Sequence, residues 1–97
     1  MNMKPKVSVI VTTFNCEKYL EKCLSSLRSQ TLDGIEIICV DDSSTDNTAA
    51  LAESMLANIE NSKFIRLQKN SGPSYARNEA LKYVTADYVM FCDGDDF

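Results

Sequence analysis

The chain has 97 residues, 44% of them hydrophobic and 25% charged, which is the composition of one small globular domain or of a piece of a larger one. A formal net charge of −4 with no basic cluster argues against nucleic acid or an anionic membrane surface as partner. Histidine is absent and Cys16, Cys23, Cys39 and Cys92 show no C-x-x-C spacing, so a zinc site is not expected.

Four strand-like runs alternate with three helix-like ones. Val7 to Thr12 predicts the first strand, and its Val7–Val11 core is the longest apolar stretch, far too short to span a bilayer. Glu17 to Ser29 predicts a helix. Leu20, Cys23, Leu24 and Leu27 recur at helical spacing, while Glu17, Lys18, Glu21 and Lys22 stay wet. Residues 30–34 break it. Ile35 to Val40 is nearly all apolar, as a central parallel strand should be.

Ser43 to Asp46 offers several N-caps for a second helix over residues 47–58, with Ala52, Met55, Leu56 and Ile59 facing inward. Phe64 to Leu67 is short and more polar, which places the third strand at a sheet edge. After the turn Ser71-Gly72-Pro73-Ser74, a third helix over Tyr75 to Tyr83 is expected to bury Ala76, Ala80, Leu81 and Val84. Tyr88 to Cys92 predicts a buried fourth strand. Strict alternation with short connections implies an α/β three-layer sandwich with a parallel sheet, in strand order 3-2-1-4. Cys23, Cys39 and Cys92 read as small buried hydrophobes and Cys16 as the most exposed thiol, all reduced in the cytoplasm.

In an open α/β sheet, ligands sit outside the carboxyl ends of the strands. Each predicted strand ends there in a polar or acidic cluster: Thr12-Thr13-Phe14-Asn15, Asp41-Asp42-Ser43-Ser44, Lys69-Asn70-Ser71-Gly72 and Asp93-Gly94-Asp95-Asp96. Thr12 to Asn15 either cap the first helix or line a site. Asp41 and Asp42 either cap the second helix or offer a carboxylate to base N–H groups or sugar hydroxyls. Asn70 and Gly72 are turn residues or site residues, and Arg77 is solvated or faces phosphate beside the positive end of the third helix. Asp93 and Asp95 are two apart, about 6–7 Å at strand spacing. Such hard oxygen donors suit Mg²⁺ or Mn²⁺ shared with a substrate's phosphates. A dinucleotide-binding dehydrogenase is disfavoured because no G-x-G-x-x-G follows the first strand.

The ordered series Val7–Asn15, Leu24–Thr31, Glu36–Thr48, Asn70–Gly72, Ala76–Asn78 and Asp93–Asp96 resembles the inverting family 2 glycosyltransferases of the GT-A fold, whose nucleotide-binding half is Rossmann-like. The resemblance covers essentially the whole chain. It implies that residues 1–97 bind a nucleotide-sugar donor, a UDP-sugar by family habit, for transfer to a glycan or lipid-linked acceptor in polysaccharide biosynthesis. Thr12 and Phe14 would line the nucleobase pocket. Asp42 would accept a hydrogen bond from the base, with Asp41 beside it. Asp93 would lie near the ribose, and Asp95 would hold the metal with Asp96 close by. Family members carry their general base in an acceptor-binding half, and no residue here matches it. The expectation is a hexosyltransferase-like donor half at work in the cytoplasm or at the cytoplasmic face of the membrane, inactive as the 97 residues alone. The alternative is a non-catalytic nucleotide-binding or interaction fragment.

Overall fold

A computed structural model describes residues 5–28 and 34–93. The elements run β1 (Val7–Thr13), α1 (Glu17–Arg28), β2 (Ile35–Asp41), α2 (Thr48–Leu56), β3 (Ser62–Arg66), α3 (Pro73–Leu81) and β4 (Tyr88–Asp93). All pairings are parallel and the strand order is β3-β2-β1-β4, as the alternation predicted. The expected end of the first helix at Ser29 and residues 30–33 of its breaker lie outside the described residues, while Gly34, the last of the breaker, stands at φ +90° just before β2.

The sheet carries a core on each face. On one side Val9, Val11, Ile37 and Cys39 meet Leu20, Cys23 and Leu24 of α1 and Ala52 and Leu56 of α2. On the other, Ile10, Ile38 and Val40 meet Ala76 and Ala80 of α3. β1 and β2 are buried on both faces, which explains why their sequences are continuous apolar runs rather than alternating ones. Each extends one residue further than the predicted strand, to Thr13 and Asp41 respectively, because those two residues are still in register.

Helix α3 starts at Pro73 rather than Tyr75. Proline has no N–H to lose in a first turn and its fixed φ suits the position. Gly72 precedes it at φ +94°, a conformation that a side chain disfavours.

Three burial expectations are corrected. β4 is not a buried strand: Tyr88, Met90 and Phe91 are exposed, and Cys92 is only half-buried. Its sole strand partner among the described residues is β1, and α3 packs on β1 and β2 instead. Leu81 is exposed because it ends α3 past the last buried residue, Ala80. Cys16 is buried, not exposed. Its N–H donates to Thr48 Oγ1 at 2.9 Å, which draws the start of α1 against α2.

At the end of the sheet remote from the polar clusters, Glu36 is a buried carboxylate inside the apolar β2 run. It accepts the Ser8 hydroxyl (2.7 Å), the Thr85 hydroxyl (3.1 Å) and the Thr85 N–H (3.2 Å), so the α3–β4 connection is tied to the sheet. These bonds compensate the burial of its charge.

Candidate functional site

The carboxyl ends of β1, β2 and β4 and the start of α3 surround a pocket of about 400 Å³, within the range of small-molecule sites. Thr12, Thr13 and Phe14 leave the end of β1 to line it, with Cys16 just beyond. Asp42, Asn70 and Gly72 line it from the β2 and β3 loops, Pro73 and Ala76 from α3, and Asp93 from β4. Phe14 is 47% exposed, an aromatic face open at the pocket.

The two adjacent carboxylates of β2 have separate jobs. Asp41 is fully buried behind the pocket lining. It accepts the hydroxyls of Thr13 (2.7 Å) and Ser44 (2.6 Å) on Oδ1, and the Ser44 N–H (2.9 Å) on Oδ2. Asp42 lines the pocket, and its two oxygens accept the N–H groups of Ser71 (2.8 Å) and Gly72 (2.9 Å). That fork fixes the loop entering α3, and Asn70 Nδ2 reinforces it by donating to the Asp42 carbonyl at 3.3 Å. Each Asp42 oxygen accepts one such bond, and a carboxylate oxygen can accept about two. Acceptor capacity therefore remains for a ligand's N–H.

Gly72 has open space where a Cβ would stand, so the backbone is approachable there. Asn15 points its role elsewhere. In the left-handed region at φ 48°, it accepts the N–H groups of Thr45 (2.8 Å) and Asp46 (3.3 Å), bracing the β1–α1 loop against the β2–α2 loop.

Asp93 ends β4 opposite Thr12 in register. Its Oδ1 accepts the Thr12 hydroxyl at 2.9 Å and pairs with Arg77 Nη2 at 3.4 Å. Arg77 also lies over the Phe91 ring, 5.7 Å from its centroid, and its Nε is buried with no hydrogen-bond partner among the described residues. The expected site thus divides. Thr12, Phe14, Asp42, Asn70, Gly72 and Asp93 line the pocket, and Arg77 adjoins it through Asp93. Asn15 and Asp41 brace it from behind, while Asp95, with Gly94 and Asp96, lies outside the described residues.

Asp93 supplies a hard carboxylate oxygen at the pocket wall, a donor type that fits Mg²⁺ or Mn²⁺. Among the described residues, no cluster of three or more acidic, His or Cys side chains forms. Sequence reasoning did not place Cys16, Pro73 and Ala76 at the pocket, and it offered Thr13 only as part of the cluster Thr12 to Asn15. Two groups near the site have displaced ionisation. Burial pushes the Cys39 thiol far up, and the hydrogen bond with Thr13 offsets only part of this. The Asp46 carboxyl is held below its ordinary range: partial desolvation opposes this, but hydrogen bonds from Thr48 and from backbone N–H groups prevail.

A polar pocket at the carboxyl edge of a parallel sheet, with Asp42 and Asp93 in its lining and a glycine-opened helix start, defines a doubly wound α/β domain with its ligand site where such sheets bind ligands. Residues 8–97 match the family described as Glycosyl transferase family 2, and the chain belongs to it. The chain is 40% identical over 92 residues to a teichoic acid poly(glycerol phosphate) polymerase of Staphylococcus epidermidis, covering 94% of this chain and 13% of that protein. It is 42% identical to a solved structure of S. aureus TarS in complex with UDP, with a TM-score of 0.83, covering 93% of this chain and 27% of that one. A mannosyltransferase of Pyrobaculum calidifontis, solved with GDP-Man and Mn²⁺, is 28% identical with a TM-score of 0.84, covering 96% of this chain and 28% of that one. The chain therefore spans only 13% to 28% of these relatives' lengths. Among the described residues, no helix is long and apolar enough to cross a membrane.

Proposed function

We propose that this chain is the donor-binding part of an inverting glycosyltransferase, taking a nucleoside-diphosphate sugar, a UDP-sugar by preference, for transfer to a glycan or lipid-linked acceptor. The observation that carries this reading is the pocket between Phe14, Asp42, Gly72 and Asp93, in a chain 42% identical to a UDP-bound relative. The nucleobase lies against Phe14, and an N–H of its edge donates to Asp42, whose orientation the Ser71 and Gly72 N–H groups fix. The open backbone at Gly72 admits the ligand closely. The ribose hydroxyls lie near Asp93, which Thr12 and Arg77 hold from one side.

A lining with two carboxylates repels a diphosphate unless positive charge is added. Arg77 and the positive end of α3 supply part of it. Mg²⁺ or Mn²⁺ fits the remainder, held by Asp93 and Asp95. When bound, the ion neutralises the charge that develops as the nucleoside diphosphate leaves. The acceptor hydroxyl attacks the anomeric carbon from the side opposite the diphosphate, and its proton passes to a general base. By itself the chain binds donor nucleotide weakly and transfers no sugar.

A thermal-shift panel of UDP, GDP, dTDP and NAD, each with and without Mn²⁺, tests this. A ligand that binds only the folded state raises its apparent stability. UDP with Mn²⁺ is expected to give a saturable shift and NAD none. An equal shift with NAD, or none with any nucleotide, refutes the reading.

A further inference from the structure

We propose that Cys23 and Cys92 form a modification site, closing under a hydroperoxide to a reversible disulfide that weakens nucleotide binding at the adjoining pocket. The two sulfurs lie 3.9 Å apart although the residues are 69 positions apart in sequence, one on α1 and the other on β4. A disulfide is about 2.0 Å long, so the sulfurs must approach by about 1.9 Å in all. Cys92 can supply the movement. It is half-buried on β4, the strand that ends the sheet order, whereas Cys23 is 1% exposed in the core. Cys39 is a poorer partner for Cys92, since it is fully buried and stands across Val11 in the next strand but one.

The chemistry balances with hydrogen peroxide as oxidant. The Cys92 sulfur, the more accessible, attacks one peroxide oxygen; an S–O bond forms, the O–O bond breaks, and the thiol proton joins the departing hydroxide as water. The Cys23 sulfur then attacks that sulfenic sulfur. An S–S bond forms, the S–O bond breaks, and the Cys23 proton leaves with hydroxide as a second water. Two thiols lose two electrons and the peroxide gains them. A dithiol reverses the bond by exchange.

The consequence reaches the pocket through Asp93. Both thiols contact its backbone carbonyl, Cys92 at 3.5 Å and Cys23 at 3.9 Å, and its side chain lines the pocket. Oxidation removes both S–H donors from that carbonyl and draws the neighbouring residue toward α1. This coupling rests on the donor-site reading; the thiol pairing does not.

The test treats the full 97-residue chain with hydrogen peroxide, removes the oxidant, blocks residual thiols with an alkylating reagent and maps the peptides by mass spectrometry. UDP affinity with Mn²⁺ is measured before and after. A Cys23–Cys92 cross-linked peptide is expected, lost on adding dithiothreitol, together with UDP binding weakened by about fivefold or more. Cys92→Ala, checked for native circular dichroism, is expected to show the same affinity before and after peroxide. No cross-link in the wild-type chain, or cross-links through Cys16 or Cys39 instead, overturns the proposal without recourse to any variant. A cross-link with unchanged affinity overturns the coupling to the pocket. A reduced chain that binds no nucleotide, yet cross-links as expected, refutes the donor-site reading and leaves the thiol pair standing.

Discussion

Thr12 donates its hydroxyl to Oδ1 of Asp93 at 2.9 Å, across the seam between β1 and β4 and across 81 positions of sequence. The same oxygen meets Arg77 Nη2, so one carboxylate oxygen anchors the end of β4 to both β1 and α3. The Arg77 contact is 3.4 Å long and partly exposed, so water screens it and its contribution is small. The threonine bond therefore holds Asp93 in place. Thr12→Val keeps the shape and removes the donor. A loss of about 1 kcal/mol is expected in urea unfolding, with weakened Mn²⁺-dependent UDP binding. Unchanged binding would mean that Asp93 needs no such anchor.

The carboxylates at the strand ends separate by what they already hold. Asp41→Ala leaves the Thr13 hydroxyl and both donors of Ser44 without their acceptor in the interior. A destabilisation of about 2–4 kcal/mol is expected. Asp93→Asn, at a side chain 48% exposed, is expected to stay within about 0.5 kcal/mol of wild type. Equal melting temperatures for the two variants would contradict this division.

Asp95→Asn is expected to abolish the Mn²⁺-dependent shift with UDP while the ligand-free protein melts no lower than wild type. Removing one of the clustered charges Asp93, Asp95 and Asp96 relieves like-charge repulsion when no cation is bound. A variant that melts well below wild type would make Asp95 a structural residue, and one that binds nucleotide undiminished would remove it from the metal assignment.

Asp46 accepts the Thr48 N–H at 2.8 Å at the start of α2. Its carboxyl is lowered in the folded chain, against partial desolvation, by the hydrogen bonds of Thr48 and nearby backbone N–H groups. The stability it contributes is therefore present above its ordinary value of 3.8 and is lost as pH falls below it. Asp46→Ala is expected to cost less than about 1 kcal/mol at neutral pH, given solvent screening. It should also flatten the acid limb of the stability curve below pH 4 relative to wild type. An unchanged acid limb would remove Asp46 from the cause of acid unfolding.

Cys39 gives the opposite slope. Burial raises its thiol far above the ordinary 9.0, so the folded chain keeps the proton while the unfolded chain releases it. Its contribution is intact below 9.0 and declines as pH rises beyond that value. Native labelling of Cys39 by a thiol reagent is expected to proceed at the rate of global unfolding, and Cys39→Ala is expected to remove part of the alkaline loss. Rapid labelling of Cys39 in the folded chain would contradict its burial.

Much of the fold was legible because periodicity is local. The apolar runs of β1 and β2, the helical spacing of Leu20, Cys23 and Leu24, and the strict alternation of elements led to the parallel sheet and its order. The polar clusters that end the strands were legible for the same reason: a parallel sheet brings every strand's carboxyl end to one edge. Six of the expected residues, from Thr12 to Asp93, line the pocket there.

By itself, then, the sequence determined the α/β architecture and the edge that carries the site, because both follow from spacing along the chain, and its ordered motifs carried the resemblance to the family. Only the tertiary structure decided which groups are already satisfied. Asp41 and Asp42 are neighbours with the same chemistry, yet Thr13 and Ser44 consume one while the other faces the pocket. Cys16 is buried by its bond to Thr48, 32 positions away, and Glu36 is compensated by Ser8 and Thr85. Cys23 and Cys92 meet only when α1 and β4 pack. Hydrogen-bond partners and solvent access are properties of pairs distant in sequence, and no local period encodes them.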